Sequence, residues 1–339
     1  MRTRNFVVTG GSGFLGEALA LKLRGLGHAV TALSRRANPN LEAAGVRTGQ
    51  VDLSSDPRDF VTFFEGAEAV FHTAAHVKMW GPYDEFFRGN VIATRNVIEV
   101  CRRAGVPRLI FTSSPSVVGD GSDLCNVNET HPFPKRYLAN YPKTKALAES
   151  EVLAANAPSL RTCALRPHLI FGPGDRNFVP MILERARRGR LIRVGAGKNL
   201  ADFSFIEDCV AAHLLAEEAL AQGGQTSGQA YFISQGEPWP LWDWINEVLR
   251  LNGLAAVARS LNTGVAQVLA SMLEIAARAG IGPSEPLLTR FLVKEMATHH
   301  YFDISKARTQ LGYSPKFTMR QALERSFCSA NDSRLTALG

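Results

Sequence analysis

The sequence predicts an α/β fold, with a doubly wound parallel sheet followed by a smaller, mostly helical C-terminal region. Two observations carry this prediction. In the first half of the chain, short apolar runs rich in β-branched residues alternate with helical patterns, and that alternation is typical of a parallel sheet with helices on both faces. In the second half, helical patterns dominate and strand-like runs are few.

The individual elements follow from hydrophobic periodicity and from turn residues. Strands are predicted at 6–9, 29–33, 46–51, 69–72, 109–113, 161–166 and 231–234. Helices are predicted near 14–26, 57–65, 86–104, 141–156, 177–189, 207–222, 240–252, 265–280 and 318–328. The connections between parallel strands are expected to be right-handed crossovers.

Length and composition predict a globular chain with two domains. The 339 residues exceed the usual size of one domain, and 45% hydrophobic with 20% charged residues excludes a disordered chain. We expect a sheet domain made of 1–172 and 203–235. The segments 173–202 and 236–330 are expected to form the second domain.

The net charge of +7 fits an anionic ligand but does not predict a nucleic-acid partner. The densest basic run, at the end of a predicted helix, contains Arg185, Arg187, Arg188, Arg190 and Arg193. Cations at this place suit the helix dipole, and no aromatic residues interleave with them, as aromatic residues do in many nucleic-acid interfaces. A phosphorylated cofactor or a carboxylate substrate would account for the basic balance.

The five cysteines predict neither a disulfide framework nor a metal site. They are Cys101, Cys125, Cys163, Cys209 and Cys328, and no two form a CxxC pair. Scattered cysteines are typical of a reducing compartment, so we expect a cytoplasmic protein without a bound metal. The apolar run after the N-terminal arginines breaks at 10–11, too early for a signal peptide.

One apolar segment, 264–282, is the strongest candidate for membrane contact. Gln267, Ser271, Glu274 and Arg278 recur along it at helical spacing and form a polar stripe. That pattern is typical of an amphipathic helix and excludes a membrane span. We expect this helix to pack on the second domain, and peripheral contact with lipid or with a partner is the alternative.

A glycine-rich turn between the first strand and the first helix predicts a nucleotide site. Gly10, Gly13 and Gly16 are spaced three apart, and Phe14 and Leu15 open the helix. Gly10 permits the tight turn, Gly13 lets the backbone approach a pyrophosphate, and Gly16 lets the helix pack closely on the sheet. Unpaired N–H groups at the helix N-terminus then bind the phosphates. The sheet is therefore predicted to be a Rossmann-type dinucleotide-binding domain.

The residues after the second strand favour NADP(H) over NAD(H). An acidic side chain there would bind the ribose 2′-hydroxyl and repel a 2′-phosphate. This chain instead has Ser34, Arg35 and Arg36. Ser34 carries no charge, and Arg35 can pair with a phosphate through its planar guanidinium group. The alternative is that both arginines face solvent.

Four more residues are expected near the adenosine half of the cofactor. Asp52 ends the third predicted strand and is followed by Leu53, and its carboxylate could accept the adenine amino group. Ala74 and Ala75 follow the fourth strand. Small side chains at that point allow close approach of the backbone to the adenosine ribose.

Tyr141 and Lys145 are the predicted proton-transfer pair. They lie four residues apart at the start of a helix and share one face. A free tyrosine has a pKa of about 10, and a nearby ammonium group favours the phenolate and lowers that pKa. Lys145 is expected to do this and to hydrogen-bond the nicotinamide ribose. Ser114, at the end of the fifth strand, is expected to hydrogen-bond the substrate oxygen, since ligands lie at the carboxyl ends of such strands.

Together these motifs resemble the extended short-chain dehydrogenase/reductase family over nearly the whole chain. The matching segments are TGGSGFLG (9–16), FTSSPSVVG (111–119), YPKTKALAE (141–149) and LRPHLIFGPGD (165–175). Three more segments, 199–216, 230–238 and 302–323, are similar to the 3β-hydroxysteroid dehydrogenase branch. The resemblance implies an NAD(P)-dependent oxidoreductase that acts on a 3-hydroxy or 3-oxo carbon of a bulky apolar substrate. The second domain would bind that substrate.

Site residues carry over position by position. Tyr141 matches the family's acid/base tyrosine, Lys145 its ribose-binding lysine and Ser114 its carbonyl-binding serine. Pro167 and Ile170 lie where the family contacts the nicotinamide end. The resemblance also implies a homodimer, because family members often pair through the helices that correspond to those predicted above near 86–104 and 141–156.

One departure points to a particular group within the branch. The animal steroid and sterol members usually carry Asp where this chain has Ser34. Ser34 with Arg35, and the segment HVKMWG (76–81), look more like the NADPH-using 2-alkyl-3-oxoalkanoate reductases. The expected substrate contacts are His76, Lys78, Trp80 and Ser116. Lys78 could pair with a substrate carboxylate or remain solvated.

Three alternatives stay open. A 3β-hydroxysteroid or 4-carboxysterol 3-dehydrogenase would use the same site. Sugar-nucleotide epimerases and dehydratases share the scaffold, but dehydratases follow the catalytic hydroxyl with an Asp-Glu pair, and here Pro115 and Ser116 follow Ser114. A non-catalytic NADPH-binding protein often lacks the tyrosine or the lysine, and both are present here.

Overall fold

The computed structural model describes residues 2–327 as an α/β fold. The strands are β1 (Asn5–Thr9), β2 (Ala29–Ser34), β3 (Arg47–Gln50), β4 (Ala69–His72), β5 (Arg108–Thr112), β6 (Leu124–Val127), β7 (Arg161–Pro167), β8 (Ile170–Phe171), β9 (Arg193–Val194), β10 (Leu200–Ala201), β11 (Ser204–Phe205), β12 (Gln229–Ile233), β13 (Trp239–Pro240), β14 (Ser260–Leu261) and β15 (His300–Phe302). The α-helices are α1 (Phe14–Gly25), α2 (Pro39–Ala43), α3 (Tyr83–Phe86), α4 (Ala93–Arg103), α5 (Asn140–Ala154), α6 (Phe178–Arg187), α7 (Ile206–Gln222), α8 (Leu241–Leu251), α9 (Thr263–Arg278), α10 (Arg290–Ala297), α11 (Ser305–Leu311) and α12 (Met319–Phe327). Cys328 lies outside the described residues.

Seven parallel strands form the central sheet, in the order β12-β7-β5-β4-β1-β2-β3. Both faces are covered, because alternate side chains of β1 enter different cores. Phe6 and Val8 pack with α1 and α7, whereas Val7 packs with α4 and α5. The strand order reverses between β1 and β4, and ligands bind in the crevice at the carboxyl ends of strands at such a point. The predicted fold class is confirmed.

A second, four-stranded sheet was not predicted. Its strands run in the order β13-β10-β15-β6, and β15 is parallel to both of its neighbours. Each strand has at most four residues, too few for alternation to indicate a strand. The sheet joins the first half of the chain to the C-terminal half. It places His300 next to the end of β7, where His168 Nε2 and His300 Nδ1 are 2.7 Å apart.

Several short helical elements differ from the sequence prediction. The helix predicted at 57–65 is two 3₁₀ helices, Pro57–Asp59 and Val61–Phe64, because the buried Phe60 between them leaves helical geometry with φ −137° and ψ 6°. The predicted helix at 86–104 contains a π-helical stretch, Phe87–Ile92, before α4. Helices α10 and α11 were not predicted, since eight and seven residues hold only about two turns.

Helix α9 packs on α10, with the opposite side from the one its amphipathic pattern favours. Ala266, Ala270 and Glu274 are buried. Met272 and Ile275 are 61% and 65% exposed. The polar stripe points inward because Glu274 accepts hydrogen bonds from the backbone N–H of α10's first residue at 2.7 Å and from that residue's Nε at 2.9 Å. A surface helix normally buries its apolar stripe instead.

Candidate active site

The glycine turn is shaped to bind a dinucleotide. Gly10 has φ +75°, and a Cβ on Gly16 would lie 2.3 Å from the Gly10 carbonyl oxygen. A Cβ on Gly10 would lie 2.8 Å from the Cα of Ala74. Helix α1 starts after Gly13 without a side-chain cap, so the N–H groups of its first turn are open to a phosphate. These residues fit the pyrophosphate of a nicotinamide dinucleotide.

The helix and strand ends around this turn are placed as the sequence predicts. Phe14 begins α1 and Leu15 is buried beneath it. Ala74 and Ala75 follow β4, and the Ala74 N–H points at Thr9 Oγ1 at a distance of 3.4 Å. Small residues therefore line the crevice where β1 and β4 diverge.

Two arginines surround the expected adenosine end. Asp52 lies two residues beyond β3 rather than in it. Burial would raise the pKa of Asp52, but hydrogen bonds from Ser54 and the charges of Arg35 and Arg88 outweigh burial and lower it. Arg88, which precedes α4, was missed by sequence reasoning. Its Nη2 lies 3.5 Å from Ser54 Oγ. The positive charges of Arg35 and Arg88 therefore both lie near the Asp52 carboxylate.

The loop after β2 leaves its guanidinium groups exposed. Ser34 Oγ donates a hydrogen bond to the Arg36 carbonyl oxygen at 2.5 Å, which fixes the turn. The residues Arg35 and Arg36 are exposed. Leu53 is buried, and its carbonyl oxygen accepts a hydrogen bond from Asn96 Nδ2 at 2.9 Å.

The predicted proton-transfer residues meet at the carboxyl end of β5. Ser114 follows β5, and its hydroxyl is a hydrogen-bond partner of the Tyr141 phenol. Ser116 Oγ lies 3.0 Å from Ser114 Oγ. Lys145, one turn after Tyr141 in α5, donates from Nζ to the Thr112 carbonyl oxygen at 2.6 Å. The structure thus brings Ser114, Tyr141 and Lys145 together at the end of one strand.

Burial dominates the acid–base properties of this group. It raises the pKa of Tyr141 to about 12; the hydrogen bond with Ser114 opposes that rise, and the charge of Glu295 adds to it. Burial lowers the pKa of Lys145 to about 7, against the charge of Glu149. The expected lowering of the Tyr141 pKa is therefore not observed. A phenol in this state keeps its proton at neutral pH and is suited to donate it.

Asn90 is a polar residue of the site that sequence reasoning missed. It lies in the π-helical stretch, and such stretches are frequent at functional sites. Its Nδ2 donates to Thr144 Oγ1 at 3.0 Å, and its Oδ1 accepts from the His76 N–H at 2.7 Å. Gly89 before it gives His76 room, since a Cβ there would lie 2.8 Å from the His76 Cβ. The Gly-Asn pair inside a helical pattern was the available signal.

A second missed residue, Glu295, reaches the site from α10. Burial raises the pKa of Glu295. Its backbone carbonyl accepts a hydrogen bond from Nε2 of His300 at 2.8 Å. That ring's Nδ1 in turn accepts from His168, which directly follows Pro167 at the end of β7. Nothing in the sequence indicated that Glu295, His300 and His168 are linked in this way, because the link depends on the second sheet.

The β7–β8 turn lies where the sequence predicts the nicotinamide end of the cofactor. Pro167 ends β7 opposite Ile233, and Ile170 begins β8 opposite Ser204. Leu169 between them has φ +41°, a conformation that non-glycine residues seldom adopt outside functional turns.

A cleft of about 730 Å³ is lined by Asn140, the residue before Tyr141, among others. Its lining includes Met79, Trp80, Phe86, Asn140, Arg278 and Phe291. The Arg278 guanidinium lies over the Trp80 ring at 5.2 Å from the ring centre. The lining also includes Glu85, Glu274, Ser284 and Thr289, so the cleft offers a ligand both apolar contacts and polar partners.

The two basic side chains predicted to contact substrate both lie near Glu85. The distance from Lys78 Nζ to Glu85 Oε2 is 3.9 Å, and that from His76 Nε2 to the same oxygen is 3.7 Å. The Lys78 side chain is half exposed. Its pairing with a substrate carboxylate stays a prediction.

Similarity to known proteins extends over nearly the whole chain. The profile of the 3-beta hydroxysteroid dehydrogenase/isomerase family matches residues 7–262. The chain belongs to this family. A 2-alkyl-3-oxoalkanoate reductase from Stenotrophomonas maltophilia is 42% identical over 327 residues, which cover 94% of this chain and 97% of that protein. A sterol-4-alpha-carboxylate 3-dehydrogenase from Mus musculus is 35% identical over 98% of this chain and 92% of its own.

The fold of this hydroxysteroid dehydrogenase family member also resembles solved structures. That of MoeE5 in complex with UDP-glucose and NAD has a TM-score of 0.75 and 26% identity, over 97% of this chain and 99% of that one. Family membership and these relatives confirm the prediction of a nicotinamide-dependent oxidoreductase of the CH–OH/C=O type.

The low pKa of Lys145 predicts a pH dependence for this hydroxysteroid dehydrogenase family member. Because the pKa of Lys145 is lowered to about 7, its ammonium form is present below that pH and is lost as pH rises through it. The kcat/KM for the nicotinamide cofactor, which reports groups of the free enzyme, should therefore fall above pH 7. Steady-state rates across the neutral and alkaline range measure this fall.

A Lys145→Arg variant is the control for that profile. Arginine stays protonated throughout this pH range, so its kcat/KM, although lower, should not fall near pH 7. A flat profile in the unmodified enzyme would contradict the assignment.

Proposed function

We propose that this enzyme is an NADPH-dependent reductase of 2-alkyl-3-oxoalkanoates. The observation that carries the proposal is the protonated Tyr141 phenol, which directly follows Asn140 in the lining of the cleft, because reduction of a ketone consumes a proton at the new alkoxide. The 42% identical relative from Stenotrophomonas maltophilia, named for this reaction, supports the choice of substrate. The reaction is reversible, and oxidation of the hydroxy acid would use the same residues.

Each side chain has a defined task in this proposal. The bound dinucleotide supplies a hydride to the ketone carbon. Tyr141 donates its phenolic proton to the developing alkoxide, and Ser114 donates a hydrogen bond to the same oxygen. Lys145 binds the nicotinamide ribose. Ser116, 3.0 Å from Ser114, orients that hydroxyl.

The preference for NADP(H) over NAD(H) rests on the charge of the loop after β2. Replacing Arg35 with alanine should raise the KM for NADPH by about 10–100-fold, since a hydrogen bond to a charged group contributes about 1.5–3 kcal/mol. The KM for NADH should stay unchanged, because NADH has no 2′-phosphate. Initial rates with each cofactor at saturating substrate measure both values.

Arg58 provides the matched control for this cofactor test. It is an exposed arginine outside the expected cofactor site that pairs with Asp56, and Arg58→Ala should change neither KM. Equal increases for NADPH and NADH in Arg35→Ala would show that the side chain does not read the 2′-phosphate.

The substrate is tested by parallel assays of NADPH oxidation with a 2-alkyl-3-oxoalkanoate and with a 3-ketosteroid. Turnover with the oxo acid alone supports the proposal. Turnover with the steroid alone would favour the other candidate, a sterol or steroid 3-dehydrogenase, to which the 35% identity with the mouse enzyme points.

Three further assignments belong to this proposal. The enzyme is a cytoplasmic homodimer that pairs through α4 and α5, where Arg95 and Glu151 form a partly exposed ion pair at 2.6 Å. The buried free thiols Cys101 and Cys163 suit a reducing compartment. The dinucleotide domain comprises 1–172 and 203–235, and the substrate domain comprises the rest of the chain up to residue 330.

A further inference from the structure

Helix α9 carries its large apolar side chains on the outside of the protein. We call Val265, Val268, Leu269, Met272 and Ile275 the α9 face. Their exposed fractions are 56%, 57%, 43%, 61% and 65%, in that order. They recur at intervals of three and four residues, so they share one side of the helix. Exposed apolar patches of this kind mark interaction sites.

Apolar side chains continue beyond the helix, in a loop that also carries one exposed carboxylate, Glu285. Ile281 and Leu287, in the loop that follows, are 67% and 66% exposed. Between 264 and 284 the charged residues are Glu274 and Arg278. Glu274 is buried and bound to α10, and Arg278 lies over the Trp80 ring at the cleft.

A basic cluster flanks the start of this face. The segment 185–198 contains Arg185, Arg187, Arg188, Arg190, Arg193 and Lys198 and no acidic residue. It leads through β9, which pairs with β14 directly before α9. The Arg193 N–H donates to the Arg259 carbonyl oxygen at 3.0 Å, so this basic segment is held against the N-terminal end of the α9 face.

We propose that the α9 face docks on the surface of an anionic phospholipid bilayer. Aliphatic side chains beside a cationic segment complement acyl chains beside anionic headgroups. The face contains no aromatic side chain, whereas cores of protein–protein interfaces are enriched in aromatic residues. No helix within residues 2–327 is long and apolar enough to cross a membrane, so the contact lies at the bilayer surface.

Docking would place the mouth of the cleft at the bilayer. Glu274, Ala277 and Arg278, on the C-terminal half of α9, line the cleft. An apolar substrate could then enter from the lipid without crossing water, and this consequence alone rests on the proposed function. Bilayer binding itself does not depend on the reaction.

The test is flotation of the full chain with vesicles of phosphatidylcholine alone or with about 30% phosphatidylglycerol. We expect flotation with the anionic vesicles and a loss of about tenfold or more in a Met272→Glu/Ile275→Glu variant, because two charges would enter the apolar layer. Arg187→Glu/Arg190→Glu should weaken binding to the anionic vesicles. Leu26→Glu, at an exposed apolar position at the end of α1 that is 41% exposed, is the control and should float normally.

Three results would overturn the proposal. They are no flotation with either vesicle, equal flotation of the Met272→Glu/Ile275→Glu variant, and self-association through this face in place of vesicle binding, seen by sedimentation. Turnover of a short, water-soluble oxo acid should be the same in all variants. If the unmodified chain does not turn over this oxo acid, the result counts against the proposed function and leaves the bilayer result intact.

Discussion

Replacing Tyr141 with phenylalanine is expected to lower turnover of NADPH and ketone by about 10²–10⁴-fold, the usual contribution of a positioned proton donor. Burial holds this phenol protonated, at a pKa of about 12, and the proposed mechanism uses it as the proton source. Removing its oxygen leaves the alkoxide with Ser114 alone. The Kd of NADPH, measured by fluorescence titration, should stay the same, because the phenolic oxygen acts on the substrate and not on the dinucleotide.

Tyr137 is the matched control for this substitution. It lies in the loop before α5, and its phenol donates a hydrogen bond to the Val117 carbonyl oxygen at 2.9 Å. Tyr137→Phe should cost stability of about 1 kcal/mol and leave kcat within a few-fold. Loss of turnover in both variants alike would contradict a specific role for Tyr141.

Replacing Glu149 with glutamine is expected to lower the free energy of unfolding by about 3–5 kcal/mol, the cost of breaking a buried ion pair. The Glu149 and Arg166 side chains are 0% and 4% exposed. Arg166 Nε lies 3.0 Å from Glu149 Oε2. Glutamine would leave the guanidinium charge buried without its anion. Urea unfolding followed by circular dichroism measures the change.

The same substitution also bears on Lys145. The Glu149 charge opposes the lowering of the Lys145 pKa, so its removal should shift the fall in kcat/KM to lower pH. Glu151→Gln, on the same helix but in the half-exposed pair with Arg95, is the control and should cost at most about 1 kcal/mol. If Glu149→Gln and Glu151→Gln lower the free energy of unfolding equally, burial of the Glu149–Arg166 pair does not add to its contribution to stability.

The sequence was sufficient for the parts of the fold that rest on local signals. The strands around the glycine turn are continuous apolar runs, and the turn needs Gly10 at positive φ. Ser114, Tyr141 and Lys145 could be predicted because their motifs lie at the ends of such elements. Close contacts among them then follow from the parallel sheet, which brings strand ends together.

The remaining features depend on contacts between distant segments. The charge of Glu295, on α10, acts on Tyr141 only in the folded chain. The neighbouring strands β15 and β6, of three and four residues, carry no periodic signal that could have indicated this. The full burial that lowers the pKa of Lys145 results from tertiary packing around α5. The orientation of α9 is decided by the bonds of Glu274 to α10, which outweigh the amphipathic pattern from which packing is usually inferred.

Transfer of deuterium from NADPH labelled at nicotinamide C4 tests the central claim most directly. The enzyme is incubated with a 2-alkyl-3-oxoalkanoate and either the 4R- or the 4S-deuterated cofactor, and the product is analysed by mass spectrometry. We predict a single deuterium at C3 of the 3-hydroxy acid from one of the two cofactors and none from the other. A hydroxy acid without deuterium from either cofactor, or no hydroxy acid at all, would contradict reduction of this ketone by direct hydride transfer.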